Sequence, residues 1–134
     1  SRGLGDVYKR QLVHHAKFSR IHRALKPYLI DMAALNAERG IPVTRPLFYH
    51  YDGERERKES TEYLLGRDLL VAPIIREGAK SREVYFPDDR WISIWNGKEY
   101  GRGCAEIDAP IGTVPVFYRK NSEYSEIFEK LKEA

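Results

Sequence analysis

Only one cysteine, one methionine and two tryptophans occur among the 134 residues. With Cys104 alone, neither an internal disulfide nor a C-x-x-C metal knuckle can form. That economy fits a reducing compartment and makes a cytoplasmic location the expectation. No run approaches the roughly 18 consecutive apolar residues of a membrane-spanning helix, and residues 1 to 20 carry too many charges for a secretory-signal core. A surplus of one charge is missing as well. The 23 Lys and Arg are interleaved with 20 Asp and Glu, so the net +3 gives no basic stripe for nucleic acid. There is no Gly-x-Ser-x-Gly nucleophile elbow, no internal repeat and no low-complexity linker between residues 12 and 134. The length allows one ordinary domain with a core, whereas a (β/α)8 barrel needs roughly 200 residues or more.

What is present divides by texture. From residue 12 to 39 the apolar residues Phe18, Ile21, Leu25, Tyr28, Leu29, Met32 and Leu35 recur at spacings of three and four, which predicts one amphipathic helix. Gly40 and Pro42 end it, and Pro27 should kink or divide it near residues 25–26. Residues 1–11 show no such period. After Pro42 the chain reads as strands: 43–51, then 62–65, 68–75, 82–86, 91–95, 98–100, 104–108 and 114–119. Turns at Glu77-Gly78, Pro87-Asp88-Asp89, Asn96-Gly97, Arg102-Gly103 and Ile111-Gly112 separate most of them. The mixed-charge run 52–59 reads as a solvated loop, and Asn96-Gly97 favours a type I′ hairpin. Short strands at this spacing predict an antiparallel β-sandwich. A last helix is expected over 122–134 with Ser122 as its N-cap.

Carboxylates are plentiful, at Asp52, Glu54, Glu56, Glu59, Glu62, Asp68, Asp88, Asp89 and Asp108. Most stand beside Arg or Lys in turns and read as surface charge. Asp68 opens an apolar strand and reads as a buried structural partner, with Arg45 as a candidate mate. His14, His15, His22 and His50 have no i, i+4 pair of the helical zinc type and read as helix surface or interface. Trp91, Trp95, Tyr85, Tyr100 and Tyr118 could form a sugar-stacking platform. Trp91 and Trp95 share strand parity, and core packing between sheets accounts for them equally well.

One ordered set goes further. Leu25-Lys26-Pro27-Tyr28-Leu29, Gly40-Ile41-Pro42-Val43-Thr44-Arg45-Pro46-Leu47-Phe48, the run from Tyr63 to Pro73, Val84-Tyr85-Phe86-Pro87, Trp91, Trp95-Asn96-Gly97 and Asp108-Ala109-Pro110 together resemble the C-terminal portion of the family 31 glycoside hydrolases, the α-glucosidase and α-xylosidase group. Thr44 stands where a methionine is common. Phe48-Tyr49-His50-Tyr51, Asp108-Ala109-Pro110-Ile111-Gly112 and the ending from Pro115 to Tyr124 resemble the family's sulfoquinovosidase branch. The resemblance implies a mainly β fold: the last helix of a (β/α)8 barrel over 12–40, a β-sandwich accessory domain over 41–121 and a C-terminal helix over 122–134. Separately, Asp6-Val7-Tyr8-Lys9-Arg10-Gln11 resembles a translated sequencing adapter, so 1–11 are expected to be a non-native or adapter-derived tail. The family resemblance also implies that the catalytic aspartates lie upstream of every residue present. No catalytic, substrate-binding, cofactor or metal residue is assigned to this chain, and no cofactor is expected. The implied partners are the barrel and N-terminal domains of the same polypeptide, with an α-glycoside as the intact enzyme's substrate. On this reading the face formed by Phe18, Ile21, Leu25, Tyr28 and Met32 should stay partly exposed. The alternatives are an α-glucosidase or α-xylosidase fragment, or a free-standing sugar-binding sandwich. The last would show an exposed, coplanar Trp91–Trp95 pair and a first helix packed on its own sheet.

Overall fold

The computed structural model describes residues 2–74, 78–109 and 114–133, with side chains from residue 19 to 131. Helix α1 (Arg2–Arg39) is a single element. It runs through Pro27, which is exposed, so the backbone bond that proline removes is missing on the solvent side, where water can replace it. The expected division at residues 25–26 does not occur. Nor does the backbone break at residue 12, because extending a docked helix adds one hydrogen bond per residue fixed and needs no apolar stripe of its own. The end is as the sequence indicates. Gly40 adopts φ +69° and its amide donates to the Asn36 carbonyl at 2.9 Å.

Among the described residues eight strands follow: β1 (Thr44–Arg45), β2 (Tyr63–Leu65), β3 (Leu69–Val71), β4 (Ser81–Phe86), β5 (Trp91–Ser93), β6 (Glu99–Tyr100), β7 (Gly103–Asp108) and β8 (Val116–Arg119). They form a six-stranded sheet in the order β1-β2-β3-β8-β5-β6 and a two-stranded sheet β4-β7, with every pairing antiparallel. The mainly β sandwich is therefore present.

Register explains how the large sheet is buried on both faces. β3 pairs with β8 so that Leu70 faces Phe117 and Leu69 faces Tyr118. Since neighbouring side chains point to opposite faces, Leu70 and Phe117 enter the core between the sheets with Leu64, Val84, Phe86 and Trp91. Leu69 and Tyr118 enter a second core beneath the helices with Ile21, Leu25, Tyr28, Met32, Phe128 and Leu131. The expected exposure of the helix face is thus overturned. Ile21, Leu25, Tyr28 and Met32 are all buried against the chain's own sheet, because a sheet with apolar residues on both faces needs two covers. The Tyr28 hydroxyl donates to the Leu65 carbonyl at 2.6 Å and accepts from the Asp68 amide at 3.1 Å, which pins the helix to the β2–β3 turn.

Other local expectations shift. The stretch 43–51 forms only the two-residue β1, and then a 3-10 turn over Leu47–Tyr49, because Pro46 has no amide to extend the ladder. The charged run contains helix α2 (Glu54–Lys58), with Glu56 buried and bonded to the Tyr85 hydroxyl. The β5–β6 hairpin exists, but only Gly97 of its turn has positive φ, at +74°, which excludes type I′. Its loop is longer: the Ser93 carbonyl accepts from the Gly97 amide at 2.9 Å, and the Asn96 side chain accepts from the Lys98 amide at 2.8 Å. Helix α3 (Ser125–Glu129) starts after Tyr124, which makes no side-chain cap; a 3-10 turn over Lys130–Glu133 follows. Ser122 lies ahead of it, buried, its hydroxyl accepting from the Tyr124 amide at 3.0 Å. Tyr124 then donates to Asp31 at 2.8 Å, joining the C-terminal segment to α1. The expected turn at Ile111-Gly112, Glu77 of the expected turn at Glu77-Gly78, and the side chains of Phe18, His14 and His15 lie outside the described residues; Gly78 itself has φ +78°.

Candidate functional site

Polar side chains converge at the end of the large sheet where β3 begins and β8 ends. Asp68 is fixed there by the backbone, since its carbonyl accepts from the Arg119 amide at 2.9 Å. The Arg119 guanidinium then bridges two carboxylates, donating from Nη1 to Asp68 and from Nε to Asp89, each at 2.7 Å. Asp68 is buried as expected, but its mate is Arg119 rather than Arg45. The β3–β8 pairing carries Arg119 to it, while β1 lies two strands away. Tyr51 donates to Asp89 at 3.0 Å and accepts from Arg67 at 3.0 Å. Burial alone would raise Asp89, but Arg119 and the Arg90 amide hold its carboxyl below its ordinary range. Burial raises the Tyr51 phenol to about 12.

Beside this network Arg45 donates from Nη1 to His50 Nε2 at 2.8 Å and from Nε to the Pro42 carbonyl at 2.6 Å. Burial, with Arg67 and Arg45 nearby, lowers His50 to about 4, so the ring is neutral and accepts from Arg45. His50, Tyr51, Arg67 and Asp89 line an open cleft of about 340 Å³. His22 is exposed on α1, as a surface histidine should be.

None of these groups makes a glycosidase pair. A retaining enzyme needs one ionised and one protonated carboxyl about 5 to 5.5 Å apart and open to a sugar. Asp68 and Asp89 are instead both committed to one guanidinium. Glu59 and Glu62 come nearer electrostatically. Burial would raise Glu59, yet the Thr61 hydroxyl and amide hold it low, while burial lifts Glu62 to about 7. But Glu62 accepts from the Tyr85 amide at 2.6 Å inside the sandwich, its side chain is 1% exposed, and no sugar can reach it. Glu56 and Glu62 are thus structural residues that the sequence presented as surface charge. Among the described residues no three His, Cys, Asp or Glu side chains converge as metal ligands.

The aromatic platform also dissolves. Trp91 is fully buried in the core between the sheets, its Nε1 donating to the Pro87 carbonyl at 3.2 Å. β5 ends at Ser93, so strand parity does not reach Trp95, which lies half buried in the turn with Nε1 donating to the Val114 carbonyl at 2.7 Å. Trp95 and Tyr100 do line a second cavity, of about 390 Å³. Yet the Tyr100 ring stacks on Phe86 at 4.9 Å, with the Lys98 ammonium 5.5 Å from its centroid, so it offers no bare face to a pyranose.

The chain is thus a β-sandwich with helices against one sheet, and Asp68, Asp89, Glu56 and Glu62 are each held by a neighbouring side chain or amide. Its sequence matches the glycosyl hydrolase family 31 C-terminal domain over residues 40–122. The chain belongs to glycoside hydrolase family 31. It is 43% identical over 122 residues to the sulfoquinovosidase of Escherichia coli strain K12, a match covering 90% of this chain and 18% of that enzyme. The family 31 sulfoquinovosidase from E. rectale, solved with an aza-sugar inhibitor, superposes with a TM-score of 0.86 at 40% identity, covering 90% of this chain and 18% of that one. Alpha-glucosidase 2 of Bacillus thermoamyloliquefaciens is 33% identical over 121 residues, 89% of this chain and 15% of that enzyme. The chain therefore spans less than a fifth of the length of these relatives.

Proposed function

We propose that this chain is the C-terminal part of a sulfoquinovosidase-type family 31 enzyme, and that its own role is structural support of a catalytic barrel supplied by the same polypeptide. The observation carrying this reading is the 43% identity to a sulfoquinovosidase across 90% of the chain. The intact enzyme would hydrolyse α-glycosides with retention, one carboxylate forming a glycosyl intermediate that water then releases, without metal or organic cofactor. Residues 12–40 would be the last helix of the barrel, serving at once as cover for the sandwich; residues 41–121 the accessory sandwich; residues 122–134 its closing helix; and residues 1–11 a non-native extension. A cytoplasmic location belongs to the same proposal. No helix among the described residues is long and apolar enough to cross a membrane.

Two measurements test it. The reading frame upstream should encode a barrel with two catalytic aspartates, and the polypeptide it encodes should cleave an aryl α-sulfoquinovoside in preference to the matching α-glucoside. Residues 1–134 alone should release no aryl alcohol above buffer. Preference for the glucoside would replace the sulfoquinovosidase reading by the α-glucosidase one. Turnover by the short chain, abolished by replacing one of its own Asp or Glu residues, would end the structural reading altogether.

A further inference from the structure

Among the described residues, two of the cations that leave the surface have an anionic mate: Arg119 has Asp68 and Asp89, and Arg82 has Glu62 at 3.4 Å. Arg45 and Arg67 differ. Arg45 is only 3% exposed, yet its guanidinium meets neutral groups alone: the Pro42 carbonyl, the His50 ring and, at 3.9 Å, the Met32 sulfur. Arg67 is half buried and makes one hydrogen bond, to the Tyr51 hydroxyl, with that ring's centroid 5.0 Å away. Neither has a carboxylate within 4.0 Å among the described residues. The nearby anions are already engaged: Asp89 by Arg119 and Tyr51, Asp52 by Arg57, Glu56 by Tyr85; Asp88 stays exposed at the rim. Guanidinium charge held out of water without a counter-ion is costly.

The same corner carries bare aromatic surface. Among the described residues the exposed large apolar side chains are Ile30, Phe48 and Tyr49, at 56%, 53% and 44%. Two of the three are adjacent in the 3-10 turn. Tyr49 meets His50 edge-on at 4.9 Å and lies 5.5 Å from the buried Arg45 guanidinium, so the exposed rings sit directly beside the unpaired charge. Aromatic and Arg side chains gathered in one patch are the composition of an interface core. The stripe of α1 is not free for that purpose, because it is spent on the chain's own sheet.

We propose that the corner formed by Arg45, Phe48, Tyr49, His50 and Arg67 is the surface on which the catalytic part of the same polypeptide docks, presenting an apolar patch over the two aromatic rings and a carboxylate to Arg67. This rests on the reading of the chain as part of a longer enzyme; the relatives, of which it covers 18%, supply the missing mass. Charge complementarity selects the partner's acid. Neutral His50 keeps the corner from gaining a third charge at neutral pH.

The test compares one double substitution in two contexts. Phe48→Ser with Tyr49→Ser should shift the melting temperature of residues 1–134 by less than about 2 °C, because both rings are exposed there, and should lower that of the full-length polypeptide by about 5 °C or more. Hydroxyl-radical footprinting should find both rings several-fold less modified in the full-length polypeptide than in residues 1–134. Arg67→Gln in the full-length polypeptide should lower its melting temperature more than Arg57→Gln does. Equal shifts in both contexts with equal footprints overturn the docking surface while leaving the parent enzyme intact. An upstream frame that encodes no glycosidase domain overturns the parent reading and this inference with it.

Discussion

The two faces of the six-stranded sheet are covered in different ways. On one face α1 and the C-terminal segment bring an almost wholly apolar cover, tied by the buried Tyr28 phenol, which bonds to Leu65 and Asp68 and which burial keeps well above its ordinary pKa. On the other face the two-stranded sheet brings an equally apolar core, but the tie between the sheets is an ionisable one. Glu62, just before β2, accepts the amide of Tyr85 in β4, and its other oxygen is buried without a partner among the described residues. The difference teaches that a helix, whose backbone bonds are internal, can seal a sheet with side chains alone. A two-stranded cover leaves edge amides that something polar must satisfy.

The largest test of this comparison falls on the helix side. Leu25→Glu together with Met32→Glu places two charges in a sealed apolar core, and residues 1–134 should lose their cooperative thermal transition, since each unpaired buried charge costs several kcal/mol. A chain that keeps its near-ultraviolet circular dichroism, melts cooperatively and becomes more soluble would show that the helix is dispensable to the sandwich, against the packing described here.

A single methyl group should act next. Gly66 has φ +68°, and a Cβ there would fall 2.1 Å from the Tyr28 hydroxyl and 2.7 Å from the Met32 sulfur. Gly66→Ala should therefore cost about 2 to 4 kcal/mol in denaturant unfolding, combining left-handed strain with overpacking. Gly78→Ala, at φ +78° with nothing within 4 Å, separates the two terms and should cost only the strain. Equal losses would mean that the α1–turn contact is looser than the geometry indicates.

The smallest effect concerns the sandwich side and is a pH dependence. Burial raises Glu62 from 4.5 to about 7, against the opposing pull of the Tyr85 amide. The folded chain then retains a proton that the unfolded chain releases near pH 4.5. This group's favourable contribution is thus fully present below pH 4.5 and is lost as pH rises to about 7. His50 runs the other way: lowered from 6.5 to about 4, it contributes stability above pH 6.5 that is lost as pH falls through 4. The two partly cancel in the unaltered chain. Glu62→Gln removes one of them, so the melting temperature of the variant minus that of the unaltered chain should climb by several degrees between pH 4.5 and 7 and level off above. A flat difference would mean that Arg82, 3.4 Å from the carboxyl, offsets its burial, and the contrast between the two faces would fail.

Much of this protein is written locally. The three-four spacing from Ile21 to Met32, Gly40 after the last helical turn, the short apolar runs at Val84 to Phe86 and in β8, and the ordered strings from Gly40 to Asp108 made the helix, its end, most strands and the family legible, because each depends on neighbours within a few residues. Partner choice was not legible. Asp68 meets Arg119 across 51 positions because β3 pairs with β8, and no local pattern distinguishes that mate from Arg45. Glu56 and Glu62 read as surface charge until β4 brought Tyr85 over them, and Trp91 and Trp95 shared a parity that ended with the strand. The sequence alone determined which segments carry apolar stripes; only the tertiary structure decided what each stripe covers, since a stripe records the need for burial and the register between distant strands chooses the surface that meets it.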